Sequence, residues 1–164
     1  GGRRGPENVW GSAATGLFFA IMISLNMSNI NLLKIGFAAS FAAKLADTFG
    51  SEIGKRFGTN TYLITSLKSV KKGTEGAVSV EGTIASFIGS ILMGSVMFLL
   101  GIINSKSKLL LVSAAGFIAT ICESFIGAKF QKKFNLSNEF VNSIQTSISS
   151  FFAIMSIFLF FKDI

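Results

Sequence analysis

The chain has 164 residues, half of them hydrophobic and only 14% charged, and its mean hydropathy is +0.61. Soluble domains usually carry about a quarter charged residues, so this composition indicates an integral membrane protein. The sequence has no His and a single Cys, Cys122, which excludes zinc sites, Ser-His-Asp triads, Cys-His dyads and an intrachain disulfide. The chemistry that remains must use carboxylates, hydroxyls, Lys and Arg, and hard oxygen ligands of this kind suit Mg²⁺.

The net charge of +7 would fit nucleic-acid binding, but bases collected on the cytoplasmic face of a membrane protein explain it better. We therefore expect no nucleic-acid partner. The sequence opens GGRRGPENVW, with neither an initiator Met nor a signal-peptide pattern. We expect residues 1–164 to form a single transmembrane catalytic domain of a longer chain, without the N-terminal segments of that chain.

Five segments are long and apolar enough to span about 30 Å of hydrocarbon at about 1.5 Å per residue. They cover residues 13–30, 32–49, 82–103, 109–130 and 140–161. We therefore predict an all-α integral membrane protein, a bundle of about five transmembrane helices with a functional loop between the second and the third. Small residues recur along one face of the third segment, which predicts close helix packing there: Gly82, Ser86, Ser90 and Gly94.

The distribution of bases predicts the orientation of these segments. If the N-terminus faces the cytoplasm, ten bases fall on that side: Arg3, Arg4, Lys55, Arg56, Lys68, Lys71, Lys72, Lys129, Lys132 and Lys133. The opposite side receives four: Lys34, Lys106, Lys108 and Lys162. The excess predicts that the N-terminus and the 50–81 loop face the cytoplasm or the stroma, where nucleotides are found.

The second segment ends in a polar helical face. Lys44, Asp47 and Ser51 share this face because residues three and four apart are neighbours on a helix, and Glu52 and Lys55 continue it. Charged groups at membrane depth are unfavourable, so they indicate a site for a metal ion or a substrate. The alternative is that Lys44 and Asp47 only neutralise each other.

Lysines and glycines dominate the loop that follows. Glycines at positions 73, 76 and 82 permit backbone conformations in which successive N–H groups converge on an anion. The lysines beside them supply positive charge to phosphate oxygens, and they are Lys68, Lys71 and Lys72. The loop is neither a Walker A loop nor a GxGxxG motif, so alone it is a weak indication of phosphate binding.

The fourth segment contributes Glu123, which should point into the bundle because a carboxylate facing lipid is unfavourable. It could bind a metal ion or substrate, or it could pair with Lys44 or a loop lysine. Three further amides lie near the same face: Gln131, Asn138 and Asn142. Carboxylates with several lysines fit phosphoryl transfer, which depends on positioning and on neutralising phosphate charge and needs no histidine.

Three stretches resemble a multi-pass membrane family once named only as a domain of unknown function, whose best understood members are the phytyl-phosphate kinases of plants and cyanobacteria. The stretches are GGRRGPENVWGSAATG, KLADTFGSEIGKRFGTNTYLITSLKSVKKGTEGAVSVEGT, and CESFIGAKFQ followed by NEFVN. The resemblance covers nearly the whole chain, although the family usually begins with further hydrophobic segments. The family is distantly similar to the CTP-using membrane kinases of phytol and dolichol and to membrane cytidylyltransferases.

The resemblance implies a role for each motif. Asp47, Glu52, Lys68 and Lys72 would be catalytic, and Asp47, Glu52 and Glu123 would hold Mg²⁺. The nucleotide phosphates would be met by Lys55, Lys71, Gly73, Thr74, Glu75, Gly76, Glu81 and Gly82. Substrate-binding or supporting residues would be Arg3, Arg4, Asn8, Lys44, Ser51, Glu123, Ser124, Gln131 and Asn142. Arg3 and Arg4 could instead be ordinary topology anchors.

The implied activity is phosphorylation of a prenyl monophosphate, phytyl phosphate to phytyl diphosphate, with a nucleoside triphosphate (CTP foremost) and Mg²⁺, as a step towards tocopherol. The expected location is a cyanobacterial or plastid membrane, with the lipid bilayer, the prenyl lipid and the nucleotide as partners and a homo-oligomer as an option. One alternative is a cytidylyltransferase or a kinase that acts on another polyprenyl phosphate. An alternative from another class is a cation-coupled transporter, whose acidic residues would lie at the midplane.

Overall fold

The computed structural model describes residues 6–27 and 29–160. Its long elements are five helices: α1 (Pro6–Ser24), α2 (Ile30–Phe57), α3 (Val80–Leu99), α4 (Lys106–Ile126) and α5 (Asn138–Phe160). A short π-helical turn, Gly127–Gln131, extends α4, and two short strands, β1 (Tyr62–Leu63) and β2 (Ala77–Val78), lie between α2 and α3. The predicted helical bundle with a loop between its second and third helices is confirmed.

Asn or Ser caps the N-terminus of α2, α3 and α4, as expected for residues whose side chains accept hydrogen bonds from free N–H groups of the first turn. Asn29 accepts from the Leu32 N–H, Ser79 from the Gly82 N–H and Ser105 from the Lys108 N–H, at 3.3, 3.1 and 3.2 Å. These caps explain why α2, α3 and α4 begin where they do, independently of where the apolar runs begin.

Among the described residues, three helices are long and apolar enough to cross a membrane: Val80–Leu99, Lys106–Gln131 and Asn138–Phe160. They correspond to the third, fourth and fifth predicted segments. The helices α1 and α2 occupy the first two segments, but α2 carries Lys34, Lys44 and Asp47 along its length.

The loop is shorter than the predicted 50–81. α2 continues to Phe57, where the Gly58 N–H donates to the Gly54 carbonyl at 3.0 Å, and α3 begins at Val80. The apolar run ends before the helix does, because helical hydrogen bonds continue through a solvated, charged segment such as Glu52–Arg56. We call residues 58–79 the connecting loop.

α2 lies at the centre of the bundle and contacts each of the other four helices. Its alanines leave no side-chain surface exposed, and they are Ala38, Ala39, Ala42, Ala43 and Ala46. The predicted small-residue face of α3 is buried, and a Cβ at Gly82 would lie 2.8 Å from the Gly50 carbonyl oxygen of α2, whereas Gly94 packs against Ser113 of α4. Small side chains allow helix axes to approach closely, which is how membrane helices gain packing contacts.

α5 is fixed to α2 by side-chain hydrogen bonds across the interface. Gln145 donates to the Ala43 carbonyl at 3.1 Å, Ser149 to the Ala39 carbonyl at 2.8 Å, and Ser150 to the Gly36 carbonyl at 2.8 Å. Such bonds add about 0.6 kcal/mol each on average in a membrane bundle. The polar residues of α5 therefore face the bundle interior.

The connecting loop is folded onto itself. β1 and β2 pair in an antiparallel register of Tyr62 with Val78 and Leu63 with Ala77. The Thr61 hydroxyl donates to the Val70 carbonyl at 2.7 Å, and the Val70 N–H donates to the Thr61 carbonyl at 3.0 Å. The loop thus has defined structure that helix patterning does not predict.

Candidate functional site

A cavity of about 480 Å³ lies at the end of the bundle where α2 and α4 end and where α1, α3 and α5 begin. All five helices and the connecting loop contribute residues to its wall. The two polar helix ends predicted to form a site, one in the second segment and one in the fourth, are therefore brought together with the glycine-containing loop.

Lys44 and Asp47 form the deep part of the α2 wall. Lys44 Nζ lies 2.7 Å from Asp47 Oδ2, and it also donates to Asn142 Oδ1 of α5 at 3.1 Å. The two charged side chains are only 23% and 16% exposed. The self-neutralising pair considered from the sequence is thus present, and one oxygen of Asp47 is engaged by Lys44.

α4 faces this pair with Glu123, Ser124 and Thr120. Ser124 Oγ donates to Glu123 Oε2 at 3.4 Å. Thr120 Oγ1 accepts a hydrogen bond from Gln145 Nε2 at 2.9 Å, and Gln145 is fully buried. The floor of the cavity is therefore held by a polar contact that joins α4 and α5.

The loop wall is shaped by two glycines with left-handed backbone. Gly73 has φ +83°, in a turn where the Thr74 N–H and hydroxyl both donate to the Lys71 carbonyl, at 3.1 and 2.7 Å. Gly76 has φ +72°, and a Cβ there would lie 2.5 Å from the Ser124 carbonyl oxygen. The loop thus rests on the end of α4 at Gly76, a position where it has no side chain.

Most of the predicted site residues line this cavity. They are Asn8, Lys44, Asp47, Ser51, Glu52, Lys55, Lys72, Gly73, Thr74, Glu75, Gly76, Gly82, Glu123, Ser124 and Asn142. Four others do not line it: Lys68, Lys71, Glu81 and Gln131. Arg3 and Arg4 lie outside the described residues. The roles assigned to all of these residues stay predictions.

Two predicted site residues that do not line the cavity connect the segments around it by hydrogen bonds. Glu81 Oε1 accepts hydrogen bonds from the Thr59 N–H and hydroxyl, at 3.0 and 2.8 Å, and so ties the start of α3 to the residue after the α2 cap. Gln131 is buried in the π-helical turn, and its Nε2 donates to Asn138 Oδ1 at the start of α5. Glu81 and Gln131 therefore contribute to the cavity indirectly, by positioning the segments that line it.

Several wall residues were not selected from the sequence, among them Ser12, Thr61, Thr83, Phe117, Thr120 and Ile121. A signal for the α4 members was present, because Phe117, Thr120 and Ile121 precede Ser124 by seven, four and three residues along one helical face. Ser12 and Thr61 approach the site only through tertiary packing, which single-sequence patterning does not reveal.

The donor set can be compared with what Mg²⁺ requires. The described residues contain no group of three or more His, Cys, Asp or Glu side chains close enough to hold a metal ion. Mg²⁺ in nucleotide sites is usually held by one or two carboxylates, with phosphate oxygens and waters completing the octahedron. Asp47 and Glu52 of α2 and Glu123 of α4 line the same cavity, and one or two of them would be enough for that mode of binding.

The cavity combines carboxylates, a cationic loop and hydroxyl groups within one volume. Lys72 and Lys55 can bind phosphate oxygens, and the backbone at Gly73 borders open space, since a Cβ at Gly73 would meet nothing within 4 Å. The volume lies in the usual range for small-ligand pockets. Such a set of groups can bind an anionic substrate together with a divalent cation.

Comparison with known proteins gives three relatives that match nearly the whole chain. A membrane protein of Synechocystis is 47% identical over 155 residues, 93% of this chain and 60% of that protein. The chloroplastic protein VTE6 of Arabidopsis thaliana is 42% identical over 160 residues, 94% of this chain and 48% of VTE6. A membrane protein of Methanocaldococcus jannaschii is 36% identical over 153 residues, 93% of this chain and 62% of that protein.

The chain therefore spans between about half and three fifths of the length of these relatives. No solved structure gives a significant match. The family described as integral membrane protein DUF92 matches residues 1–151, which is most of the chain and includes every residue of the cavity wall. The multi-pass membrane family indicated by the three sequence motifs is thereby confirmed, and the chain belongs to the DUF92 family of integral membrane proteins.

Proposed function

We propose that this chain carries the catalytic site of a membrane kinase that transfers the γ-phosphoryl group of a nucleoside triphosphate to a prenyl monophosphate. Phytyl phosphate is the acceptor we favour, with phytyl diphosphate as the product. The observation that carries the proposal is the single cavity in which carboxylates of α2 and α4 meet Lys72 and the glycines of the connecting loop.

In the proposed reaction, an oxygen of the prenyl monophosphate forms a bond to the γ-phosphorus. The bond between that phosphorus and the β–γ bridging oxygen breaks, and a nucleoside diphosphate leaves. The acceptor oxygen is already ionised at neutral pH, so a strong general base is not needed. This agrees with a chain that contains no His.

The proposed roles follow from position. Lys55 and Lys72 bind phosphate oxygens, and the backbone near Gly73 adds N–H donors. Asp47, Glu52 and Glu123 would hold Mg²⁺, which when bound neutralises phosphate charge. Lys44 keeps Asp47 oriented and joins it to Asn142 on α5.

The relatives support a membrane setting. One of them is named as chloroplastic and another comes from a cyanobacterium, so a plastid or cyanobacterial membrane is the proposed location. Because the chain covers only part of each relative, the activity of the whole protein is itself a proposal. The cavity at one end of the bundle supports a kinase over a transporter, since transporters bind their substrates near the midplane.

The test is a transfer assay with the protein in lipid nanodiscs, Mg²⁺, phytyl phosphate and each nucleoside triphosphate in turn, CTP first. Label on the γ-phosphate should appear in phytyl diphosphate. Incorporation of the cytidine moiety would refute the kinase and make the protein a cytidylyltransferase. The absence of any product with every donor would refute both.

A matched pair of variants assigns the activity to the cavity. Glu123→Gln removes a carboxylate from the wall with little change in shape, and it should lower kcat at least about 100-fold because the Mg²⁺ that neutralises the transferred group would lose a ligand. Glu7→Gln, at an exposed position of α1 outside the wall, should leave kcat unchanged. Equal activity of the two variants would remove Glu123 from the catalytic set.

A further inference from the structure

The helices contribute two large apolar side chains to the cavity wall, Phe117 and Ile121, and both belong to α4. On the side of α1 and α5 the wall is polar, formed by Asn8, Ser12, Asn138 and Asn142. The side of α3 and α4 also has polar groups, which are Thr83, Ser86, Thr120, Glu123 and Ser124. A ligand with a charged group and an apolar group would direct its apolar part toward Phe117 and Ile121.

Thr83 of α3 and Ile121 of α4 both line the cavity, and both side chains are exposed. One helical turn deeper, the rings of Phe87 and Phe117 meet edge to face with centroids 5.5 Å apart and close the edge between α3 and α4. A lateral exit from the cavity between these two helices would therefore lie at the level of Thr83 and Ile121.

The surface outside this exit is apolar. Ile84, Phe87 and Ile88 of α3 are 55%, 50% and 51% exposed, and α3 and α4 both have the length and composition of membrane-crossing helices. An exposed apolar face on such helices is in contact with lipid chains. An exit between Thr83 and Ile121 would therefore connect the polar cavity with the hydrocarbon of the bilayer.

We infer that the isoprenoid tail of the lipid phosphate leaves the cavity between α3 and α4, passing Thr83 and Ile121 and lying over Ile84 and Phe87. This inference rests on the proposed function for the identity of the headgroup. It assigns the lipid-tail subsite to one edge of the bundle, and it makes the Phe87–Phe117 pair the inner limit of that subsite.

Photo-crosslinking tests the path without requiring catalysis. The probe is a 20-carbon prenyl monophosphate with a diazirine on its terminal isoprene unit, bound to the protein in nanodiscs and mapped by mass spectrometry. Label should fall in residues 80–99 and 106–126, and an excess of unmodified 20-carbon prenyl monophosphate should remove it. Competed label in α1 or α5, or label that no competitor removes, would overturn the inference.

A matched pair of substitutions provides the second arm. Ile121→Trp fills the exit, whereas Ile118→Trp enlarges a side chain on the same helix that is similarly exposed but does not line the cavity. Ile121→Trp should raise the KM for the 20-carbon monophosphate about tenfold, and should leave the KM for dimethylallyl monophosphate within about twofold. Ile118→Trp should change neither value, and equal effects of the two substitutions would overturn the assignment.

The two proposals fail in different ways. A protein that transfers no phosphate but gives competed label on α3 and α4 retains the tail subsite and refutes the kinase. A protein that transfers phosphate to both acceptors and is unaffected by Ile121→Trp retains the kinase and refutes the tail path.

Discussion

Lys44 has two partners on different helices, Asp47 on its own helix and Asn142 on α5. From the sequence its role was open between a self-neutralising pair and a part of the site. The structure shows that the pair exists and that it lines the cavity. The two interpretations are therefore compatible, because a lysine that holds a carboxylate in one orientation also prepares it for a ligand.

We expect removal of one charge of the Lys44–Asp47 pair to lower the free energy of unfolding more than removal of both charges. Lys44→Met leaves the mostly buried Asp47 carboxylate without its cation, and it should lower the free energy of unfolding by about 3 kcal/mol. Lys44→Met combined with Asp47→Asn removes both charges and should lower it by less. Thermal unfolding in detergent measures both values, with Lys34→Met as the single-lysine control on α2.

If the double variant were less stable than Lys44→Met, the charge of Asp47 would have a stabilising partner other than Lys44. The pair would then be incidental to the packing of α2 on α5, and the orientation of Asp47 would have to come from elsewhere.

Glu81 shows how far single residues can be assigned from sequence. Its motif predicted contact with nucleotide, whereas the structure places its carboxylate on the Thr59 N–H and hydroxyl. Most of the connecting loop lies between the two residues in the sequence, and the contact forms because the loop brings the start of α3 back to the end of α2. A motif indicates that a residue type is needed at a position. It does not show which residue, distant in the sequence, is the partner of that residue.

At the scale of elements, the connecting loop is positioned by its contact with α4. Gly76 lies against the Ser124 carbonyl and the Ala128 backbone, and Glu123 is the neighbour of Ser124. The loop that carries Lys72 and the helix that carries Glu123 are thus placed relative to each other by a contact between backbones.

Two glycines of this loop allow that contact to be isolated from backbone strain. Both Gly73 and Gly76 have positive φ, so Ala at either position should cost about 1 kcal/mol in strain. Only Gly76→Ala adds a collision with α4, since a Cβ at Gly73 meets nothing within 4 Å. Hydrogen exchange of residues 58–79 should therefore be much faster in Gly76→Ala than in Gly73→Ala.

Equal exchange in the two variants would mean that the loop does not depend on α4 for its order. In that case the β1–β2 pairing and the Thr61–Val70 hydrogen bonds would be sufficient to hold it.

The elements themselves were largely predictable. Apolar runs and helical spacing gave the bundle, and the charged face from Lys44 to Lys55 indicated that α2 would carry a site. The missing part was long-range: the two short strands, the docking of Gly76 and the approach of Ser12 to the cavity. These depend on contacts between distant segments, for which a single sequence has no periodic signal.

For the whole molecule, the predicted orientation places the connecting loop and the cavity on the cytoplasmic or stromal side. Ser66 lies in that loop before α3, and Ser107 lies at the start of α4 after α3; both are exposed. In a Cys122→Ser background expressed in intact bacterial cells, a membrane-impermeant maleimide should label the Ser107→Cys variant and not the Ser66→Cys variant. After permeabilisation both should be labelled.

Labelling of the Ser66→Cys variant in intact cells would show that the orientation is the reverse of the predicted one. The cavity would then face away from the nucleotide pool, and a nucleotide-dependent reaction at this site would be excluded.

The length of α2 has a consequence for how much water a substrate must lose. A helix of 28 residues is about 42 Å long, about 12 Å more than the hydrocarbon layer. If α2 crosses the membrane with this excess at the cavity end, Asp47 would lie near the hydrocarbon boundary, and Glu52 and Lys55 would lie beyond it. A phosphate meeting these groups would then stay at the depth of the lipid headgroups, so its dehydration, which would be prohibitive in the bilayer centre, would remain partial.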